Sequence, residues 1–234
     1  MNRMAVINEI IRKKGRTTAY VEIGVRNGKC FFNITARYRM AVDPDFRIGK
    51  RTYLKAYSRN PLQWFRDSFH SQTSDDFFRT YKNDLLRKKP DVIFIDGLHT
   101  YEQSYRDVGH SLEVLNAGGV IVMHDCNPTT EIAAMPAFSP VEVATMYPEA
   151  WRGVWAGDVW KTIVRLRCEP GLEVFVLDAD FGLGIVRKKE GAQPVLTLTA
   201  EDIGNMHYGD LADNREELLD LRSPDYLKDF LESV

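Results

Sequence analysis

The sequence predicts an α/β protein with a doubly wound, mostly parallel sheet. Short apolar runs alternate with stretches whose apolar residues recur at helical spacing, as expected for strands joined by helical crossovers. Residues 91–96 and 119–125 are nearly continuous apolar runs, which is typical of strands buried on both faces. In residues 19–29, a third apolar run leads into a turn that contains two glycines, Gly24 and Gly28.

Composition limits the class of protein. The chain has 234 residues, of which 44% are hydrophobic, and a formal net charge of −2. This length allows a sizeable core, and we expect one domain with additions rather than two. The small net charge gives no support for broad attraction to nucleic acid or to a membrane, so we expect neither as a partner.

The sequence also predicts a cytoplasmic location. The first residues lack the apolar core and small-residue cleavage site of a signal peptide, and no apolar run approaches the roughly 18 residues of a membrane span. The three cysteines, Cys30, Cys126 and Cys168, form no Cys-x-x-Cys pair, which fits a reducing compartment.

The N-terminal part of the chain is predicted to form a helix, the first strand, the glycine turn and a second helix. Apolar residues at helical spacing predict a helix that ends at Gly15. We expect a buried strand at 20–23, then the glycine turn, then a helix over 29–37. Glycine allows the backbone to approach a ligand closely, and a helix N-terminus presents free N–H groups, so this turn is a candidate ligand loop.

Secondary structure in residues 39–76 is predicted from shorter sequence patterns. Residues 39–43 predict a second strand, and residues 64–70 a third. Residues 45–68 are rich in Lys and Arg, which we interpret as a solvated basic helix, with a patch for an anionic substrate as the alternative. A helix is predicted to start at 73–76, where Thr, Ser and Asp can cap free N–H groups.

Two further strand–helix units and a hairpin complete the predicted sheet. The units are the strands 91–96 and 119–125 with the helices 101–115 and 158–167, and the hairpin strands are 173–178 and 184–188. We expect the hairpin to be antiparallel and to lie at the edge of the sheet.

Residues 126–157 form a long irregular segment inside the predicted domain of residues 1–190. The segment carries several prolines together with many apolar side chains, which argues against disorder. We therefore expect a lid or substrate wall, in which Trp151 and Trp155 are candidates to stack on an acceptor, with simple packing as the alternative.

A C-terminal tail, residues 191–234, is expected to pack on the same domain. Its sequence predicts two short helices, near 215–221 and 224–231. The apolar lid and this tail are candidate surfaces for a homodimer.

Acidic residues end three of the predicted strands. Asp43, Asp96 and Asp125 occupy these positions, and Glu22 lies near the end of the first strand. Ligands of open α/β sheets bind beyond the carboxyl ends of the strands. One such acid is often only a helix cap, but four converging carboxylates need a ligand, a cation or a metal to satisfy them.

Two histidines lie close to these acids in the sequence. His99 follows Asp96 by three residues, and imidazole titrates near neutral pH, so it is a candidate base or metal ligand. The alternative is a histidine that packs in a loop or caps the next helix. His124 precedes Asp125 and, by strand alternation, is expected on the opposite face, so we rank it below His99.

Taken in order, these segments resemble class I S-adenosylmethionine-dependent methyltransferases. Residues 22–28 resemble the E-x-G-x-x-x-G motif of that family, and residues 95–101 and 118–125 resemble strand motifs of its small-molecule and glycan O-methyltransferase branch. The resemblance covers roughly residues 15–190. It implies a Rossmann-like sheet of seven strands with an antiparallel terminal strand.

The resemblance also implies roles in cofactor binding. Gly24, Asn27 and Gly28 would pass close to the methionine part of S-adenosylmethionine, with Glu22 supporting the turn. Asp43 would accept the two ribose hydroxyls, since it follows Gly24 by about the 20 residues expected for a ribose-binding acid.

The remaining implied roles concern adenine and a metal. Ser74 and Asp75 fall where the family contacts the adenine edge. Asp96, also counted among the cofactor-contacting and catalytic residues, and Asp125 match two carboxylates that bind a divalent cation, such as Mg²⁺, in metal-dependent members. Cys126 stands where those members carry Asn, which departs from the pattern.

The sequence therefore predicts a methyltransferase that uses S-adenosylmethionine and acts on an oxygen of a small molecule or sugar-containing acceptor. A divalent metal is a candidate aid, and His99 the candidate base. Two alternatives stay open: an NAD(P)-binding oxidoreductase, although the turn lacks G-x-G-x-x-G spacing, and a non-catalytic S-adenosylmethionine-binding module.

Overall fold

The structure is a computed structural model that describes residues 1–15 and 18–233. Its helices are α1 (Arg3–Lys14), α2 (Lys50–Arg59), α3 (Ser74–Lys88), α4 (Tyr101–Val114), α5 (Pro140–Met146), α6 (Trp160–Leu166), α7 (Ala200–Asn205), α8 (Tyr208–Leu219) and α9 (Tyr226–Glu232). Its strands are β1 (Ala19–Ile23), β2 (Tyr38–Val42), β3 (Asp67–His70), β4 (Val92–Ile95), β5 (Val120–Met123), β6 (Leu172–Leu177), β7 (Leu183–Lys188) and β8 (Leu221–Arg222).

The strands form one sheet in the order β3-β2-β1-β4-β5-β7-β6-β8. All neighbours pair in parallel except β7, which is antiparallel to both β5 and β6. The predicted fold class is thus confirmed. The sheet differs from the expectation by one strand, because the two-residue β8 of the tail pairs with β6 and covers the edge that the hairpin was expected to form.

The sheet has a hydrophobic core on each of its two faces, and successive side chains of the central strands point alternately into one core and the other. In β4, Ile93 and Ile95 contribute to the core under α3, α4, α6 and α8, while Val92 and Phe94 contribute to the core under α1 and α9. Helices therefore cover both faces, which is why β1, β4 and β5 are buried at every position.

The helix predicted over 29–37 is wrong. Only a short 3-10 turn, Phe31–Asn33, forms there, and Ile34 is already extended. Tertiary partners take the backbone groups that a helix would use: Asn8 of α1 accepts from Thr35 N–H, and the Arg39 guanidinium donates to the carbonyls of Phe31 and Ile34. The glycine turn consequently does not lead into a full helix.

Other boundaries shift for local reasons. The third strand is shorter than predicted, because a 3-10 turn, Pro61–Phe65, occupies its first part. α2 has no buried residue, which agrees with the prediction of a solvated basic helix. In the tail, α7 and the first half of α8 were not predicted. α8 is kinked at Asn214, and the helix predicted near 215–221 corresponds to the part after the kink.

None of the helices within the described ranges has both the length and the apolar character that crossing a bilayer requires.

Candidate active site

A cleft opens at the carboxyl ends of β1, β2, β4 and β5 and has a volume of about 940 Å³. Cofactor and small-molecule sites usually span roughly 300–1,000 Å³. Of the residues singled out by the sequence, those that line the cleft are Glu22, Gly24, Asn27, Asp43, Ser74, Asp96, His99, His124, Asp125 and Trp155. Gly28 and Asp75 are not part of the lining.

The glycine turn lets β1 and β4 approach each other closely. Gly24 has a φ of +88°, and a Cβ on it would lie 1.9 Å from the carbonyl oxygen of Asp96. Gly28 has a φ of +76°, but a Cβ there would meet the ring of Phe32 at 2.7 Å, so Gly28 serves packing within the protein. The turn thus brings the backbone at Gly24 to the floor of the cleft.

Asp43 is held in a fixed orientation beside the turn. Its Oδ2 accepts a hydrogen bond from Arg26 N–H at 2.7 Å, and its Oδ1 accepts one from Asp45 N–H at 2.7 Å. A carboxylate oxygen has more than one lone pair, so each oxygen can still accept from a ligand hydroxyl. Asp43 therefore presents two preoriented acceptors to the cleft.

Glu22 is buried below the turn. The hydroxyl of Tyr20 donates to its Oε2 at 2.5 Å. Burial raises the pKa of Glu22 to about 8, since the charged form loses its hydration. A pKa near 8 favours the neutral carboxyl at neutral pH, and the hydroxyl of Tyr20 in the same strand holds it in place.

Gln103 connects the residues expected near adenine, and the sequence did not single it out. Its Nε2 donates to Ser74 Oγ at 3.2 Å, to Asp75 Oδ1 at 3.3 Å and to Asp107 Oδ1 at 3.0 Å. Burial raises the pKa of Asp107 to about 6. Gln103 and Ser74 line the cleft, whereas Asp75 lies within 3.7 Å of His110 on the outer surface of α4.

Two acids and two histidines meet at the centre of the cleft. His99 lies 3.5 Å from Asp96 Oδ1 and 3.3 Å from Asp125 Oδ2. His124 Nδ1 lies 2.9 Å from Asp125 Oδ2 and 3.4 Å from Asp96 Oδ1. We call these four residues the central cluster.

The expectation that His124 points away from this cluster is wrong. Strand pairing of β5 ends at Met123, and Asp125 adopts a left-handed conformation with a φ of +60°. Alternation of side chains holds only along a regular strand, so this turn brings both side chains to the same side. Cys126 takes no part, since its buried thiol contacts the carbonyl of His124.

An ion pair from distant parts of the chain closes one side of the cluster. Arg3 of α1 donates to Asp96 Oδ2 at 2.7 Å and to Asp180 Oδ2 at 2.9 Å. Asp180 comes from the turn between β6 and β7, and its Oδ1 lies 3.8 Å from His124 Nε2. Sequence reasoning missed both residues.

The charges of the cluster are strongly coupled. Burial opposes protonation of His124, but the carboxylates of Asp125, Asp180 and Asp96 raise its pKa to about 11. The pKa of His99 is also raised, since the attraction of Asp96 and Asp125 exceeds the effect of burial. The same contacts hold the pKa of Asp96 well below its usual range, against the effect of burial.

The donor atoms of the cluster also fit a divalent cation. Ligand atoms of Asp96, His124 and Asp125 all lie within 4.8 Å of one another. Both ring nitrogens of His124 are buried without a hydrogen bond of good geometry among the described residues. The two carboxylates alone would suit Mg²⁺, and the added imidazole shifts the preference of the site toward a transition metal.

The segment 126–157 forms a fixed wall beside His99. The indole of Trp155 stacks on the imidazole at a centroid distance of 4.9 Å and an angle of 20°, and its N–H donates to the carbonyl of Met135 at 2.8 Å. Gly157 packs so closely that a Cβ on it would lie 1.9 Å from the carbonyl oxygen of His99. Trp151 is half-buried and does not line the cleft.

Part of the chain is similar to a known protein family. Residues 21–126 match the family model described as a methyltransferase domain. A search by sequence among curated proteins finds no match.

Several solved structures share the fold. Cofactor-bound Rv0187 from MTB superposes with a TM-score of 0.54 at 14% identity, covering 80% of this chain and 79% of that one. The SAH-bound methyltransferase PaMTH1 from Podospora anserina gives 0.54 at 15% identity, covering 80% and 77%. The O-methyltransferase from Bacillus cereus in complex with SAH gives 0.50 at 14% identity, covering 78% and 77%.

The matched segment contains the glycine turn and all three acids that end strands. This segment is therefore similar to a methyltransferase domain, and the solved structures share the fold of the chain.

Proposed function

We propose that the protein transfers a methyl group from S-adenosylmethionine to a hydroxyl oxygen of a small molecule or sugar-containing acceptor. One observation carries the proposal. A single cleft joins the preoriented acceptors of Asp43 to a central cluster in which imidazoles contact carboxylates. The cleft thus has a cofactor end and a proton-transfer end.

At the cofactor end, the chain offers contacts for each part of the ligand. The carboxylate of Asp43 is oriented to accept two ribose hydroxyls, and the backbone at Gly24 can pass close to the methionine part. Ser74 and Gln103 lie at the polar wall where an adenine edge would fit. Bound S-adenosylmethionine supplies a methyl group that is already electrophilic on its sulfonium.

At the other end, the chain must orient and deprotonate an oxygen nucleophile. His99 is the proposed base. Its ring is held between Asp96 and Asp125 and is stacked on Trp155, so its orientation is fixed. The two carboxylates raise its pKa, which makes the neutral ring a stronger proton acceptor.

A divalent cation is part of the proposal as an aid. Asp96, His124 and Asp125 would hold it, and it would lower the pKa of an acceptor hydroxyl. Asp125→Ala should abolish Mn²⁺ binding measured by calorimetry, while Asp84→Ala, on the exposed surface of α3, should bind normally. Unchanged Mn²⁺ binding in Asp125→Ala would remove the metal from the proposal.

The choice of oxygen as acceptor atom also has support outside the cluster. The Bacillus cereus structure with the same fold is an O-methyltransferase. Carboxylates and imidazoles around a nucleophile favour removal of a hydroxyl proton.

The test measures ligand binding and turnover separately. S-adenosylhomocysteine should raise the melting temperature and NAD should not, and the shift should vanish in Asp43→Ala. Radiolabelled S-adenosylmethionine is then incubated with a panel of catechols, phenols and sugars, and label should appear as an acid-stable ether. A melting shift with NAD alone would overturn the cofactor assignment, and label only on nitrogen or sulfur acceptors would overturn the oxygen assignment.

A further inference from the structure

The helix α2 and the 3-10 turn that follows it carry an exposed surface that the methyltransferase reaction does not use. Its apolar part consists of Leu54, Leu62, Trp64 and Phe65, which are 72%, 62%, 57% and 84% exposed. We call this surface, together with the Lys and Arg side chains around it, the basic–apolar patch. Large apolar side chains clustered at such exposure usually mark an interaction site.

The same segment of the chain is rich in cations. Residues 46–66 contain no acidic residue and include Lys50, Arg51, Lys55, Arg59 and Arg66. Within the part of the chain that the structure describes, none of these five forms an ion pair. Two acids flank this run, and both are paired with other residues: Asp45 with Arg47, and the buried side chain of Asp67 with Arg39.

The inner side of the patch is firmly anchored. Tyr53 and Tyr57 pack against Phe32, with ring centroids 5.5 and 5.8 Å apart. The hydroxyl of Tyr57 donates to Asp67 at 2.8 Å, and its ring packs edge-on against Trp64 at 5.0 Å. The outward side chains are therefore presented on a fixed support rather than on a loose loop.

We propose that the basic–apolar patch docks the protein on the surface of an anionic lipid bilayer. Charge complementarity identifies an anionic partner, since uncompensated Lys and Arg near a membrane are attracted to acidic headgroups. The aliphatic and aromatic side chains then enter the boundary between headgroups and acyl chains, as in interfacial amphipathic segments. Arg and Lys stems can reach upward to the phosphates while Phe65 and Leu62 lie deeper.

Other occupants fit the patch less well. A second copy of the chain would face the same five cations across a twofold interface, which is repulsive. Single-stranded nucleic acid would use the phosphate charge and the aromatic rings, but it offers no apolar phase for Leu54 and Leu62. This proposal departs from the expectation of no membrane partner, which rested on the net charge of −2. The charge is unevenly distributed over the chain, since residues 46–66 contain cations and no acid.

The test is co-sedimentation of the full chain with large unilamellar vesicles. The vesicles contain phosphatidylcholine alone or phosphatidylcholine mixed with phosphatidylglycerol. Binding should require the anionic lipid and should weaken as NaCl is raised, since exposed charges are screened. Equal sedimentation with both vesicle types would overturn the proposal.

Two double variants separate the charge from the apolar contribution. Lys55→Gln/Arg59→Gln should weaken vesicle binding by about fivefold for each cation removed. Trp64→Ser/Phe65→Ser should weaken it roughly tenfold or more. Matched controls are Lys13→Gln and Val195→Ser, which change an exposed cation and a 67% exposed apolar residue elsewhere, and both should bind like the wild type.

A parallel arm identifies the occupant. Fluorescence anisotropy with a labelled single-stranded oligonucleotide, and sedimentation equilibrium of the protein alone, use the same variants. Binding to the oligonucleotide without binding to vesicles, or a dimer that Trp64→Ser/Phe65→Ser dissociates, would overturn the proposal. Circular dichroism verifies that each variant is folded, so loss of vesicle binding is assigned to the patch.

Discussion

Gly24 offers the sharpest steric test of the cleft. In Gly24→Ala the new Cβ would lie 1.9 Å from the carbonyl oxygen of Asp96 and 2.8 Å from Cα of Gly97. These are backbone atoms of the segment after β4, so no side chain can rotate away. Ordinary contacts of a Cβ lie at 3.4–4 Å, so the ends of β1 and β4 must move apart by well over an ångström.

The cost has two parts. A φ of +88° is unfavourable for alanine by about 1–2 kcal/mol. Overpacking a close contact costs about 1–3 kcal/mol. The sum of about 2–5 kcal/mol corresponds to a lower melting temperature by about 4–20 °C for a chain of this size.

The assay pairs thermal unfolding with calorimetric binding of S-adenosylhomocysteine. Gly24→Ala should melt lower and bind at least tenfold more weakly, because the turn no longer approaches the ligand. Gly109→Ala is the control, since nothing lies within 4 Å of a Cβ there. Alanine in the middle of α4 should raise the free energy of unfolding by about 0.5–1 kcal/mol. A Gly24→Ala protein with wild-type stability and affinity would refute the reasoning.

Three further predictions follow from the same geometry. Asp43→Asn places an amide where two backbone N–H groups donate, so affinity for S-adenosylhomocysteine should fall by about tenfold or more in calorimetry, and an unchanged Kd would contradict this. Burial raises the pKa of Glu22 from 4.5 to about 8, so the folded state binds a proton that the unfolded state loses between these pH values, and stability falls as pH rises across that window. Glu22→Gln should remove this dependence, so its melting temperature relative to wild type should improve from pH 5 to pH 8, and parallel curves would argue against a buried neutral carboxyl. Gly157→Ala should displace His99 and lower kcat while leaving the Kd for S-adenosylhomocysteine near wild type, whereas equal loss of both would point to general unfolding.

The strands and their terminal acids could be predicted because the signal is local. The sequence windows 91–96 and 119–125 contain both the apolar residues that are buried in β4 and β5 and the acids that follow these two strands. The sequence failed at 29–37, where Asn8 and Arg39 supply hydrogen bonds that outweigh helix propensity. Such partners lie elsewhere in the chain, so no window of the sequence contains them.

The central cluster was predicted only in part, for the same reason. Asp96, His99 and Asp125 follow strands and were found. Arg3 lies 93 positions before Asp96, and Asp180 comes from a hairpin turn, so their pairing depends on the completed fold.

The wrong placement of His124 results from the backbone conformation of one residue, Asp125. His124 entered the cluster because Asp125 is left-handed, and a local pattern does not encode that. The cytoplasmic location, the acceptor and the homodimer stay predictions.

A crystal structure of the protein with S-adenosylhomocysteine tests the central claim most directly. We predict that both ribose hydroxyls donate to the carboxylate of Asp43 and that the sulfur faces the central cluster of Asp96, His99, His124 and Asp125. A ligand bound outside this cleft, or one whose ribose points away from Asp43, would contradict the account.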